Sequence, residues 1–236
     1  MNHTLKQRVV AEAVGTALML AAVVGSGISG ERLSGGNVAI ALMANSVATG
    51  AILVALILAI GPISGAHFNP AVTLSDAYEN GIPWSETPFY IAAQLAGAFA
   101  GVAIANVMFG LPVFFASHHA RNGVGQLFGE FVATFGLMAV IGGCARSRPA
   151  LVAFAVAAYI TGAYWFTSST SFANPVVTLA RMTSDTFAGI RPVDAPGFIA
   201  AQLVGAGAAT LLFGWLSGNR RSTVSERVPS SQGNRE

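Results

Sequence analysis

The sequence predicts an all-α membrane protein with six transmembrane helices and two re-entrant half-helices, arranged as an inverted two-fold repeat. Three observations carry this. Charged residues make up 9% of the 236 positions, where a soluble domain carries about 25%. Six stretches are long and apolar enough to cross a bilayer. An Asn-Pro motif recurs in both halves, each time between the second and third span.

The 12 Lys and Arg and 10 Asp and Glu cannot cover a soluble domain of this length, and 53% of the residues are hydrophobic. Mean hydropathy is +0.62. Those values exclude a disordered chain. A net charge of +2 is too small and too scattered for nucleic-acid binding. The single cysteine, Cys144, rules out a disulfide framework and a cysteine metal site. No nucleophile–base pair or metal cluster stands out, so an enzyme is disfavoured, and no cofactor is implied.

The spans are 9–29, 38–60, 88–109, 126–144, 149–167 and 196–216. Span 1 is too long, and too poor in a cleavage site, for a removed signal peptide. Six spans place both termini on one side. Lys6, Arg8, Arg146, Arg148, Arg220, Arg221, Arg227 and Arg235 fall on that side; Arg32, Arg121, Arg181 and Arg191 fall on the other. The positive-inside rule makes both termini cytoplasmic. Residues 1–216 read as one membrane domain, with repeat one over about 8–109 and repeat two over about 126–216. The polar tail, 217–236, reads as disordered.

Segments 61–78 and 168–190 enter the bilayer without crossing it. Each runs from small and turn-forming residues into Asn-Pro and then a short helical pattern. Asn is a good N-cap, and Pro suits the first helical turn. Irregular backbone at membrane depth is tolerated only inside protein or along a wet cavity. Two surface loops are the plainer alternative, but the repeat accounts for both segments together. HFNPAVTL at 67–74 matches FANPVVTL at 172–179, AAQLAGA at 92–98 matches AAQLVGA at 200–206, and AEAVGTAL at 11–18 shares Glu-x-x-x-Thr with GEFVATFG at 129–136. Three spans per half invert the second copy, a pattern of transport proteins with a midplane site.

Two half-helix N-termini meeting at the midplane place about half a positive charge each there. Asn69 and Asn174 add amide donors. Carbonyls around 65–68 and 171–173 offer acceptors. Glu12 and Glu130, inside spans, have two readings: a proton relay, or acceptors for the backbone N–H groups of the re-entrant loops. One such loop per half favours the second. Gly97, Gly101, Gly205 and Gly207 read as helix contacts. His118, His119 and Arg121, in the connector between spans 3 and 4, have two readings, a metal or anion site or solvated residues, and the second is favoured.

The combination resembles the aquaporin, or major intrinsic protein, family over about residues 8–216. Asn69-Pro70-Ala71 matches its motif fully, and Asn174-Pro175-Val176 matches with Val in third place. The Glu12, Glu130, Gln94 and Gln202 segments fit as well. Within the family the pattern is closest to a bacterial branch linked to arsenite and other small neutral metalloid solutes. The resemblance implies a homotetramer in the cell membrane with one pore per subunit, a loop-anchoring role for Glu12 and Glu130, and a pore-lining place for His67.

It also implies a narrow filter. Spacing from the two Asn residues assigns Thr49, Gly162, Ser171 and Val177 to it, the second assuming no length change between span 5 and the loop. The family usually has Arg where this chain has Val177. Such a ring is wide and weakly cationic unless Tyr164, Trp165 or Phe172 narrows it. Arg181, about 6 Å beyond Val177 along the helix axis, either makes the outer vestibule basic or braces Asp185. The expected function is a passive channel for glycerol-sized polyols, neutral metalloid hydroxides such as arsenous acid, and water. The alternatives are a strict water channel and a proton-coupled transporter using Glu12 and Glu130.

Overall fold

The structure is a computed structural model that describes residues 3–218; most of the tail expected to be disordered lies outside the described residues. Helices α1 (Leu5–Leu33), α2 (Val38–Ser64), α4 (Thr87–Met108), α5 (Val124–Ser147), α6 (Val152–Phe166, after a 3-10 turn at Pro149–Leu151) and α8 (Ala195–Leu216) supply the six apolar spans. Between them lie two short helices, α3 (Pro70–Tyr78) and α7 (Pro175–Arg181). There is no strand among the described residues. Helix α1 extends past both ends of its predicted span, and α2 runs on to Ser64 with Pro62 in its last turn.

Local chemistry sets these limits. Thr4 and Gln7 form a capping box at the start of α1, and the Asn37 side chain accepts from Ala39 and Ile40 to start α2. Helix α2 ends on Gly65 at φ 91°, the left-handed turn that glycine adopts without a Cβ penalty. Each short helix starts on Asn with Pro in its first turn.

The inverted repeat is visible in packing. Helix α1 lies parallel to α4: Arg8 pairs with Glu86 at one end, and Arg32 donates to the Phe109 carbonyl at the other. Between these ends the backbones close up at glycines. A Cβ on Gly97 would stand 2.2 Å from the Ala13 carbonyl oxygen, and one on Gly101 2.3 Å from that of Ala17. Helix α8 packs on α5 in the same way, with Gly205 against the Phe131 carbonyl. Gly207, read from sequence as a helix contact, has open space beside it.

The outer surface is apolar. Val38, Ile40, Met43 and Val47 of α2 are exposed, as are Phe154, Trp165 and Phe166 near the two ends of α6. A surface of this kind is stable against lipid and unstable against water. The polar side chains gather inside, at Glu12, Gln94, Glu130, Gln202, Asn69 and Asn174, all buried.

Candidate functional site

Each buried carboxylate organises one re-entrant loop. Glu12 accepts from the backbone N–H groups of His67 (3.0 Å) and Phe68 (2.7 Å), from Ser64 Oγ (2.6 Å) and from Gln94 Nε2 (2.8 Å). Glu130 accepts from the N–H groups of Phe172 (2.8 Å) and Ala173 (2.9 Å) and from Gln202 Nε2. Gln94 and Gln202 each donate again, to Thr73 and Thr178. Those hydroxyls donate to the carbonyls of Asn69 and Asn174. Four elements in each half thus share one hydrogen-bonded cluster.

The geometry of a trans peptide turns this anchoring into a polar lining. Its C=O points opposite its N–H. With the N–H groups of residues 67, 68, 172 and 173 aimed at the glutamates, the carbonyls of Ala66, His67, Ser171 and Phe172 point the other way. No donor among the described residues reaches those four oxygens. The loops reach this shape through left-handed residues at matching places: Ala66 and Phe68 at φ 50° in the first, Ser171 at 52° and Ala173 at 48° in the second. A non-glycine residue there costs about 1 kcal/mol or more, which the carboxylate bonds offset.

The two half-helices are tied to each other at their N-termini. Asn69 Oδ1 accepts from Ala71, and Asn174 Oδ1 from Val176 and Val177. Asn69 Nδ2 donates to the Ala173 carbonyl and Asn174 Nδ2 to the Phe68 carbonyl, each at 2.8 Å. This reciprocal exchange uses one amide hydrogen of each Asn and leaves the other. Pro70 and Pro175, which have no N–H to satisfy, begin the helices.

A cavity of about 490 Å³ runs past this junction. Arg8, Asp76 and Glu79 line it on the face where α1 begins, called here the terminal face. His67 lines it further in, with Nδ1 3.2 Å from Thr73 Oγ1 and Nε2 3.6 Å from Asp76. Asn69 and Asn174 line the middle. Thr49, Ser171, Val177 and Arg181 line the distal end.

Gly162 is a correction. It is exposed on the outside of α6 and does not line the cavity. The cavity stripe of α6 is Val152, Val156, Ile160 and Tyr164, spaced one helical turn apart, and residue 162 lies about 200° round from 160. Tyr164 stands where the glycine was expected. It is buried, and its hydroxyl is 3.1 Å from Thr49 Oγ1.

Arg181 does not brace Asp185. It is 2% exposed; its Nε donates to the Ala188 carbonyl, and its guanidinium carbon lies 3.4 Å from the centre of the Phe172 ring. Asp185 instead pairs with His118, at 3.0 Å. That side-chain hydrogen bond, with the His118 backbone N–H, holds the Asp185 carboxyl below the usual carboxylate range. His119 is pushed below the ordinary histidine value, first by burial and then by Arg121 and Arg181.

Arg121, read from sequence as solvated, is 7% exposed. It donates from Nε to Gly189 O (2.8 Å), from Nη1 to Ser169 O (3.3 Å) and Thr170 Oγ1 (3.2 Å), and from Nη2 to Phe187 O (3.3 Å). Burial pulls Arg121 down to about 10, which still leaves it charged at neutral pH. No group of three or more metal-ligating side chains occurs among the described residues.

The comparisons agree with this architecture. The family model described as "Major intrinsic protein" matches residues 1–151. The chain belongs to the major intrinsic protein family. It is 49% identical over 227 residues to an aquaglyceroporin, AqpS, of Rhizobium meliloti (strain 1021), covering 96% of this chain and 97% of that one. It is 39% identical over 127 residues to the probable aquaporin NIP7-1 of Arabidopsis thaliana, covering 53% and 45%. Its fold matches the X-ray structure of the aquaglyceroporin from Plasmodium falciparum with a TM-score of 0.68, at 21% identity, over 89% of this chain and 96% of that one. As a major intrinsic protein with six apolar helices, it is a multi-pass membrane channel for water and small solutes, and not an enzyme.

Proposed function

We propose that this major intrinsic protein passively conducts small uncharged hydroxylated solutes, namely glycerol-sized polyols and neutral metalloid hydroxides such as arsenous acid, together with water. The observation that carries the reading is the row of four carbonyls at Ala66, His67, Ser171 and Phe172 with no donor among the described residues. They flank the remaining amide hydrogens of Asn69 and Asn174. A neutral molecule with several hydroxyls exchanges its water shell for these groups step by step, donating to the carbonyls and accepting from the amides.

Cations meet the opposite conditions. Two half-helix N-termini face the junction, each carrying about half a positive charge, and the buried guanidinium of Arg181 stands at the distal end. Val177, at the distal end, contributes an apolar wall and no donor, which favours solutes larger than water. The bias of basic residues supports cytoplasmic termini in a cell membrane, and the family resemblance supports a homotetramer. The oxygens of Glu12 and Glu130 are occupied by loop N–H groups and glutamines, which argues against a proton relay.

The test is stopped-flow light scattering on proteoliposomes of the full chain, comparing water, glycerol and arsenous acid on one preparation. Flux of all three above protein-free liposomes is expected. Water flux alone would make the protein a strict water channel.

A further inference from the structure

Two buried arginines with unlike surroundings stand at the distal end, one of which, Arg181, lines the cavity. Arg121, from the α4–α5 connector, places its donors on Gly189, Ser169, Thr170 and Phe187. Arg181, from the last turn of α7, has one hydrogen bond to a described residue, from Nε to the Ala188 carbonyl. Its two terminal nitrogens have no acceptor among the described residues, and the side chain lines the cavity. The first arginine is built into its surroundings, and the second faces the solute path.

Phe172 joins them. Its ring centre is 4.9 Å from the guanidinium carbon of Arg121 and 3.4 Å from that of Arg181, both inside the reach of a cation–π contact, about 6 Å. The backbone N–H of Phe172 is held by Glu130, and the ring packs edge-on against Phe198. Arg121 also grips the loop just before it, at Ser169 and Thr170. The bonds to Gly189 and Phe187 bracket Ala188, whose carbonyl receives Arg181. Arg121 therefore supports both surfaces that orient the Arg181 guanidinium: the ring beneath it and the carbonyl beside it. Ser171, between the gripped residues and Phe172, lines the same end of the cavity, and its Oγ is buried with no partner.

We propose that Arg121 is a positioning residue for solute selection: through Phe172 and the 187–189 turn it aims the free N–H groups of Arg181 into the distal end of the cavity, beside the Ser171 hydroxyl. The solute class is a neutral molecule presenting an acceptor oxygen to Arg181 and a hydroxyl to Ser171. The inference rests on the channel reading above and assigns its distal selectivity to a residue that itself does not line the cavity. Lysine cannot take this role, because an ammonium is a point charge without the planar fork that reaches two segments, 169–170 and 187–189, at once.

The experiment is a double-mutant cycle in proteoliposomes of the full chain. Glycerol-to-water permeability ratio and thermal stability are measured for wild type, Arg121→Gln, Arg121→Lys, Arg181→Ala and Arg121→Gln/Arg181→Ala. Residues acting through one another couple, here by about threefold or more in the ratio. Arg121→Gln and Arg181→Ala should shift the ratio in the same direction, Arg121→Lys should not restore it, and the double variant should match Arg181→Ala alone. Phe172→Leu keeps the Arg121 hydrogen-bond acceptors and removes the shared ring, so it should reproduce the shift even where Arg121→Gln folds poorly. Shifts that add, a ratio moved by Arg181→Ala but not by Arg121→Gln or Phe172→Leu, or a ratio unmoved by Arg181→Ala would each overturn the proposal. A wild type that passes water but no glycerol would refute the solute reading separately; the same cycle is then scored on water permeability, and additive effects there refute the positioning role.

Discussion

Replacing Glu130 by Gln isolates the anchoring of the second loop, because it preserves shape and removes one acceptor and the charge. Oε1 accepts from Phe172 N–H, and Oε2 from Ala173 N–H and Gln202 Nε2. In either orientation the new amino group faces a donor. Turned toward Phe172, it leaves one buried N–H unpaired; turned the other way, it opposes two donors. Gln202 can relieve the second arrangement by flipping, since its Oε1 has no partner, but it then gives up its bond to Thr178. An orphaned buried donor costs about 1–3 kcal/mol, and the remaining bonds lose charge assistance. The expected destabilisation is therefore about 2–4 kcal/mol, concentrated on a loop already strained at Ser171 and Ala173. Thermal unfolding of purified protein, followed by intrinsic fluorescence, reads the shift. Flux per folded protein should fall for all solutes together. Wild-type stability in Glu130→Gln, with loss of transport confined to proton-driven conditions, would refute the anchoring argument and favour a relay.

Three further outcomes follow from the same geometry. Val177→Arg adds a charged fork beside Arg181, one turn away on the same face; it should reduce glycerol and arsenous acid flux about tenfold relative to water, measured by the three-solute assay. Tyr164→Ala removes the phenol beside Thr49 and should raise glycerol flux relative to water, whereas Gly162→Ala, on the outside of α6, should leave the ratio unchanged. Asp194 is held below the usual carboxylate range, chiefly by the Arg191 side chain, with burial opposing and the Arg121 N–H assisting. Its contribution is therefore present above the unfolded carboxylate value, about 3.9, and lost as pH falls through the lower folded value. Asp194→Asn should flatten the acid limb of the wild-type Tm-against-pH curve in that window.

The fold was legible because its determinants are repeated in the chain. Asn-Pro, the Glu-x-x-x-Thr pairs and the two Gln segments each occur twice in the same order, and the structure joins them into two equivalent clusters. The site was less legible where it depends on helical register. Counting back from Asn174 at an assumed spacing selects Gly162, but the cavity stripe of α6 is Val152, Val156, Ile160 and Tyr164, and that register turns Tyr164 inward instead. Burial of Arg121 was hidden for another reason. Beside His118 and His119 it looks like a solvated loop residue, and its acceptors lie 48 to 68 positions away. The reciprocal bonds from Asn69 to Ala173 and from Asn174 to Phe68 had a signal in the inverted repeat, since the Asn side chains meet only if the half-helices enter from opposite faces.

The central claim is passive passage through the junction of the two half-helices, and glycerol uptake under an imposed pH gradient tests it most directly. Proteoliposomes containing the full chain are loaded at one pH and diluted into glycerol at the same or a different pH. We expect identical initial rates in either direction of the proton gradient and a final internal glycerol concentration equal to the external one. Accumulation above the external concentration, driven by the gradient and abolished by a protonophore, would contradict a passive channel.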